Sequence, residues 1–231
     1  MTSTAPLDLD ITNTAPIPFG RLVGVEFRKA RDTRASFWLL AVIAIAVVLA
    51  EVIALIVGAT HDDRANIDFG TFTAVAAFLT SVLLPVLAIM LVTTEWTQRS
   101  AMVTFTLESR RSRVVLAKLV IGVLLTFATI ALATVVGALA NVLLGVFNGP
   151  ADWTYGWDGF FGFIIGQNLA MLVGFALASL TLNTAAAIVL FFVYQFVLPT
   201  LFAIGSGLWS WFEYIAKWVD FGAAQNPLFE L

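Results

Sequence analysis

Few side chains in this 231-residue sequence have the types and spacing that enzymatic chemistry needs. The single histidine, His61, precedes Asp62 and Asp63; the three could hold a cation loosely, although a solvated polar turn is the commoner use of such a triplet. The sequence contains no cysteine, which excludes thiolate metal sites and a cysteine nucleophile. It also lacks a Gly-x-x-x-x-Gly-Lys phosphate loop. We therefore expect no catalytic residue, no metal site and no cofactor bound by this chain.

Glu51 interrupts the first long apolar run and is the strongest candidate for a functional polar group inside a membrane. A helix that starts near Ser36 would place it roughly 22 Å from the inner edge of the bilayer. An ionisable side chain at that depth is costly unless it faces a cavity or a partner, reaches the interface or carries a proton. Amides within other apolar runs are further candidates for a translocation path, although most such amides form interhelical hydrogen bonds. These amides are Asn141, Gln167, Asn168 and Gln195.

The most informative polar stretch joins the second and third apolar runs. Apolar and charged residues alternate between Glu95 and Arg113, whereas a simple connection could be shorter and wholly polar. Its apolar side chains are available to a partner protein, and its bases could lie near acidic or phosphate-bearing surfaces. The residues predicted to take part in such docking are Glu95, Arg99, Phe105, Leu107, Glu108, Arg110, Arg111 and Arg113.

The elements that carry these residues are too apolar for a soluble domain, since 60% of the residues are hydrophobic and 12% are charged. A helix needs roughly 20 apolar residues to cross the hydrocarbon core. Five segments qualify, so the predicted fold is an all-α, polytopic bundle of transmembrane helices within one domain, residues 18–231. The predicted spans are residues 36–58, 70–94, 119–147, 160–180 and 184–204.

The distribution of charge orients this bundle. Most lysines and arginines fall within residues 21–34 and 99–118, next to apolar runs, and cytoplasmic loops concentrate such residues near span ends. Tryptophans favour the headgroup level, and Trp38 and Trp96 fall at the span ends assigned to the cytoplasm. The N-terminus is therefore predicted to be cytoplasmic.

Two further segments are predicted to be helical without crossing. Residues 18–34 mix apolar residues with five bases, which favours an amphipathic helix in the inner membrane interface over a flank of no fixed orientation. Residues 208–221 predict an aromatic helix on the outer surface, and residues 1–17 a disordered tail. The charged residues assigned to the interfacial helix are Arg21, Glu26, Arg28, Arg31 and Arg34.

Small residues recur every four positions along the fourth predicted span. Such a ridge allows the backbone of another helix to approach closely. We expect helix packing rather than catalysis from these residues, which are Gly162, Gly166, Ala170, Gly174 and Ala178.

In order and type, these features resemble the membrane subunits of type-2 ATP-binding-cassette exporters. The shared pattern is an acid that closes the second span (Glu95), a short Thr-rich helix, a serine and arginine cluster from Ser109 to Arg113, and Lys118 at the start of the third span. The basic helix before the first span resembles the connecting helix of that family. Leu198-Pro199 at the end of the fifth span, followed by a Trp-rich outer helix, is also similar. The family normally has six spans, whereas this pattern predicts five.

The resemblance implies a permease subunit in the cell membrane that forms the translocation path of an exporter. It further implies a separate cytoplasmic ATPase subunit, which would bind ATP and magnesium, and a second permease, either another copy or a homologue. Two other functions remain open. A non-transporting membrane scaffold would use the same topology, and an ion-coupled carrier would rely on Glu51, although no clear internal repeat is found. Membrane lipid is an expected partner, and nucleic acid is not.

The predicted topology can be tested with single cysteines, because the native sequence has none. Thr14→Cys and Ser109→Cys should be protected from an impermeant thiol reagent in sealed cells, whereas Asn66→Cys and Asp152→Cys should react. Labelling of Ser109→Cys from outside would contradict the orientation.

Overall fold

The computed structural model describes residues 17–60, 67–108, 110–148 and 151–219, and its regular structure there is entirely helical. The predicted tail, apart from residue 17, and the His61–Asp63 triplet lie outside the described residues. In chain order the helices are α1 (Phe19–Asp32), α2 (Arg34–Thr60), α3 (Phe69–Thr97), α4 (Ala101–Leu107), α5 (Arg111–Asn148), α6 (Trp157–Thr181), α7 (Thr184–Phe192), a π-helical turn (Val193–Val197), α8 (Leu198–Leu208) and α9 (Ser210–Val219).

Five of these segments are long and apolar enough to cross a membrane, which confirms the predicted all-α, polytopic fold. They are α2, α3, α5, α6 and the continuous segment Thr184–Leu208. The basic residues that predict the orientation lie in α1, at the first residue of α2, just beyond the end of α3 and at or just before the start of α5. We call this end of the molecule the basic end of the bundle.

The last crossing differs from its expected form, because Leu198-Pro199 lies inside it rather than at its end. Proline has no N–H, and its ring clashes with the carbonyl four residues earlier in a regular helix. Here the backbone widens into the π-helical turn just before the proline, and the Leu198 N–H donates to the Val193 carbonyl. The helix therefore continues to Leu208.

The interfacial helix is shorter than expected. Thr33 leaves the helical conformation, with φ −75° and ψ 122°, and its N–H closes α1 on the Lys29 carbonyl. Arg34, predicted to belong to this helix, is instead the first residue of α2. The turn at Thr33 lets α1 and the first crossing run in different directions.

α3 occupies the centre of the bundle and packs against α2, α5, α6 and α7. Its partners in the main apolar core include Met171 of α6 and Phe191 of α7, which contact a cluster containing Leu84 and Ile89. The ridge of small residues on α6 lies largely within this packing. Gly162, Gly166, Gly174 and Ala178 are buried, and Ala170 is partly buried.

The backbones of α3 and α6 meet at Gly174. A Cβ atom at this position would lie 2.4 Å from the Pro85 carbonyl oxygen and 2.6 Å from the Pro85 Cα. Those atoms belong to backbone that cannot rotate away as a flexible side chain would. Only glycine therefore fits this crossing without a shift of one helix.

We expect Gly174→Ala to destabilise the protein by about 1–3 kcal/mol, because overpacking forces the two helices apart. Gly207→Ala is the matched control, since a Cβ atom there meets nothing within 4 Å. Unfolding in SDS mixed micelles measures both variants. Equal stability of Gly174→Ala and wild type would contradict the close crossing.

Candidate functional site

Four charged side chains from three helices form a buried cluster at the basic end of the bundle. The Glu26 carboxylate of α1 is 2.7 Å from the Lys29 Nζ and 2.7 Å from the Lys118 Nζ of α5. Glu95 of α3 completes the arrangement, at 2.6 Å from Lys29 and 3.1 Å from Lys118. Each carboxylate thus contacts both ammonium groups. We call these residues the ion-pair cluster.

Helical periodicity explains why Glu26 points inward. Leu22, Glu26 and Ala30 are spaced four apart and share one face of α1. Ala30 is buried against Leu91 of α3 and Ile121 of α5. Glu26 lies one helical turn before Ala30. Because Ala30 packs against α3 and α5, the Glu26 carboxylate lies between the ends of these two helices.

The cluster satisfies the charges that it buries. Lys118, whose side chain is 8% exposed, also donates to the Leu91 carbonyl at 3.2 Å. Burial lowers the pKa of Lys29, but its hydrogen bonds to Glu26 and Glu95 and their negative charges outweigh that effect, so the net pKa is raised. A raised pKa means that Lys29 contributes stability below its ordinary value of 10.5, and that this contribution is lost as the pH rises through the folded value.

Glu95 also fixes the direction of the chain beyond α3. The Ser100 N–H donates to the Glu95 carbonyl at 2.9 Å, and the Arg99 N–H donates to the Trp96 carbonyl at 3.1 Å. Arg99 between them adopts the left-handed conformation, with φ 57°. This is a Schellman turn in which arginine occupies the place that glycine usually takes. The start of α4 is therefore bonded to the residue whose side chain belongs to the ion-pair cluster.

Arg113 secures the other end of the α3–α5 connection. Its guanidinium donates to the buried Glu108 carboxylate at 2.8 Å and to the Ile17 carbonyl at 2.6 Å. Glu108 also accepts the Arg110 N–H at 3.3 Å. Together with the ion-pair cluster, these bonds join α1, α3, α4 and α5 into one connected unit.

The remaining residues of the predicted docking loop lie at its surface or outside the described side chains. Arg110 and Arg111 are exposed at the start of α5. Phe105 and Leu107 belong to α4, but their side chains are not among those described. Met102, another apolar residue of the stretch expected to meet a partner, is 78% exposed on α4.

Sequence reasoning assigned no role to Lys29 and described Lys118 only as the start of a span. The four-residue spacing of Glu26 with Leu22 and Ala30 was a usable signal, because it places an acid on the apolar face of an amphipathic helix. An acid on such a face needs a basic partner from elsewhere in the chain. Which base supplies it depends on tertiary packing.

Glu51 is fully buried between α2, α3 and α5. A Cβ atom built on Gly137 would lie 3.4 Å from the Glu51 Oε1 and 3.4 Å from the Phe72 Cβ. Neither carboxylate oxygen has a hydrogen-bond partner within the described part of the chain. A role of Glu51 in translocation stays a prediction.

The candidate amides bond mainly to backbone carbonyls rather than to one another. Asn141 donates to the Asp152 carbonyl at 2.9 Å, which ties α5 to the chain before α6. Gln167 of α6 donates to the Ala77 carbonyl of α3 at 3.1 Å. Asn168 donates to a carbonyl of its own helix at 2.8 Å, and Gln195 is half-buried in the π-helical turn.

Removal of one buried cation should expose the dependence of the fold on the ion-pair cluster. Lys118→Met leaves two carboxylates with one half-exposed lysine, and we expect a loss of about 3–5 kcal/mol in unfolding free energy. The double variant Glu26→Gln/Lys118→Met should recover part of that loss, because Glu95 then retains Lys29.

Arg31→Gln serves as the control for this measurement. Its ion pair with Asp32 is exposed, at 65% and 61% of the two side chains, so its loss should cost less than about 1 kcal/mol. SDS titration in mixed micelles compares the variants. Equal effects of Lys118→Met and Arg31→Gln would show that the cluster contributes no more than a surface pair.

Comparison with known protein families agrees with this architecture. Residues 22–198 match the family model described as ABC-2 family transporter protein, a range that runs from α1 to the start of α8 and contains the ion-pair cluster. Neither a curated protein nor a solved structure shows significant similarity to the chain. The family match covers well over half of the sequence and confirms the resemblance drawn from it. The chain belongs to the ABC-2 transporter family and is a multi-pass membrane permease component of an ABC transporter.

Proposed function

We propose that this permease is the translocating subunit of an exporter and that a separate cytoplasmic ATPase drives it. Membrane subunits of the ABC-2 family work in general with an ATP-binding partner. The sequence has no phosphate loop of its own, so the energy for uphill transport has to come from such a partner. The observation that carries the proposal is the bonded attachment of the α3–α5 connection to α3 through Ser100 and to α5 through Glu108, next to the ion pairs that join both helices to α1.

α4 and the start of α5 form the docking surface in this proposal. Met102 offers an exposed apolar side chain on α4, and Arg110 and Arg111 offer exposed positive charge at the start of α5. An apolar centre with a charged rim is typical of protein interfaces, in which the centre supplies affinity and the rim directs association. Acidic or phosphate-bearing groups on the ATPase would complement the arginines.

The same contacts provide a mechanical route from this surface to the spans. A displacement of α4 acts on α3 through the hydrogen bond between Ser100 and the Glu95 carbonyl. The Glu95 side chain transmits this displacement to α5 through its ion pair with Lys118. Lys118 transmits it to α1 through its ion pair with Glu26. Because α3 contacts most of the other crossing helices, a small movement at its end reaches the whole bundle.

The translocation path in this proposal lies between two permeases. The last crossing is the least covered of the five. In its most apolar stretch of 18 residues, 11% of the residues are buried, against 44% in that of α3. Its uncovered side chains include Phe192 and Phe196, whose rings stack with centroids 5.8 Å apart. An apolar, aromatic lining favours amphipathic or lipophilic cargo such as drugs, peptides or lipid-linked molecules.

A substitution on α4 tests the proposed docking directly. Met102→Asp places a charge at the centre of the contact and removes apolar burial worth about 1.5–3 kcal/mol, so the ATPase should copurify at least tenfold less. Met102→Leu keeps an apolar side chain of similar size and should retain the partner. Pull-down from membranes that contain a co-expressed cognate ATPase measures both.

Insertion of the variants is followed separately from binding. Both proteins should reach the membrane at wild-type levels, because the substituted side chain is 78% exposed and does not belong to a predicted span. Full ATPase binding and transport by Met102→Asp would contradict the assignment of α4 as the docking surface.

A further inference from the structure

A cavity of about 770 Å³ opens beside the ion-pair cluster, between α1, the start of α2, the end of α3 and α4 with its two flanking residues. Arg21, Val25 and Lys29 line it from α1, at successive turns of one face. Met90 and Leu91 line it from α3. Its walls are mainly apolar, and its charged groups lie near the ends of the helices.

The charged residues that line the cavity leave one positive charge without a partner. The ion-pair cluster is neutral, because it contains two acids and two bases. Asp32 is paired with Arg31, and Glu108 with Arg113. Arg21 has no ion-pair partner among the described residues. The cavity therefore favours an anion near Arg21.

Lys29 adds a second donor to this side of the cavity. Two of the ammonium hydrogens are engaged by Glu26 and Glu95, and the side chain remains 41% exposed. A third hydrogen is thus available to an acceptor in the cavity. Arg21 and Lys29 are two helical turns apart, roughly 12 Å along α1, with Val25 between them.

The apolar wall extends along α3 away from its charged end. Met90 lies two turns before the end of α3 at Thr97, which is roughly 10 Å along the helix. α1 covers the other side with Val25 and Leu22. The cavity thus has a charged end, at which Arg21 is the base without an ion-pair partner among the described residues, and an apolar end along α3. This shape suits a molecule with an anionic head and a hydrocarbon chain.

We propose that this cavity binds an anionic phospholipid of the leaflet on which α1 lies. The phosphodiester accepts hydrogen bonds from Arg21 and from the free hydrogen of Lys29, and an acyl chain lies along Val25, Met90 and Leu91. A free phosphate would leave the apolar wall uncovered, and a zwitterionic lipid would bring a second cation beside Arg21. The bound lipid joins α1 to the membrane next to the ion-pair cluster. Ser100, Thr104 and Glu108 of the α3–α5 connection also line the cavity, so it adjoins the surface proposed for the ATPase. Lipid binding to the purified chain without an ATPase tests this inference separately from that docking.

Native mass spectrometry of the purified full-length chain in detergent tests the proposal. The probes are dioleoyl phosphatidylglycerol, dioleoyl phosphatidylcholine and glycerol phosphate, which has the anionic group without the chains. We expect phosphatidylglycerol to bind with clear preference over the other two. Arg21→Gln should weaken its binding about tenfold, since it removes a charge-assisted hydrogen bond.

Arg28→Gln is the matched control, because Arg28 carries the same charge on the same helix but does not line the cavity. It should bind phosphatidylglycerol as wild type does. Val25→Trp, at a residue that is 42% exposed, fills the apolar part of the cavity and should also reduce lipid binding. The melting temperature without added lipid checks the folding of each variant.

Three results would overturn the proposal. Equal losses in Arg21→Gln and Arg28→Gln would indicate diffuse attraction to the basic face of α1. Competition by glycerol phosphate at the concentration of the lipid would indicate a simple anion site. Unchanged phosphatidylglycerol binding in a folded Val25→Trp variant would place the lipid elsewhere.

Discussion

A carboxylate buried at the edge of a membrane has to be neutralised where it lies, and this requirement governs the basic end of the molecule. α1 cannot pack Ala30 against α3 and α5 without also carrying Glu26 inward. The two lysines that compensate it come from α1 itself and from α5. Because the second acid, Glu95, belongs to α3, the cluster can form only when all three helices are in register. Charge compensation thus sets the relative positions of helices whose apolar surfaces alone would allow several.

A different interaction stabilises the centre of the bundle, namely close contact between helix backbones. In a membrane, helices gain little from hiding apolar surface from lipid, so close packing has to supply much of their association. Gly174 allows α6 to touch α3 at Pro85. The chain therefore combines a van der Waals crossing in the middle with a charged cluster at one end. The first holds the bundle together, and the second connects it to the surface that we propose for the ATPase.

Sequence reasoning predicted well the features that are set by the composition, spacing and order of the segments. Span number follows from the length of apolar runs, and the small residues of α6 stand out by their spacing. The family follows from the order of these elements. The features that it missed depend on tertiary contact. No local pattern reports that Lys118 meets Glu26, because 92 positions separate them. Thr33 and the π-helical turn before Pro199 were also missed, since each is a local departure from an otherwise regular helix.

The π-helical turn from Val193 to Val197 separates α7 from α8 within the last crossing. Such a turn holds one residue more than a regular helix would, and one residue corresponds to about 100° of rotation around the axis. The side chains of α8 are therefore turned by that angle relative to the pattern that α7 begins. A single helix can in this way direct one stripe toward its own bundle on one side of the bilayer and a different stripe outward on the other. The last crossing therefore exposes a different helix face to its surroundings in each half of the membrane.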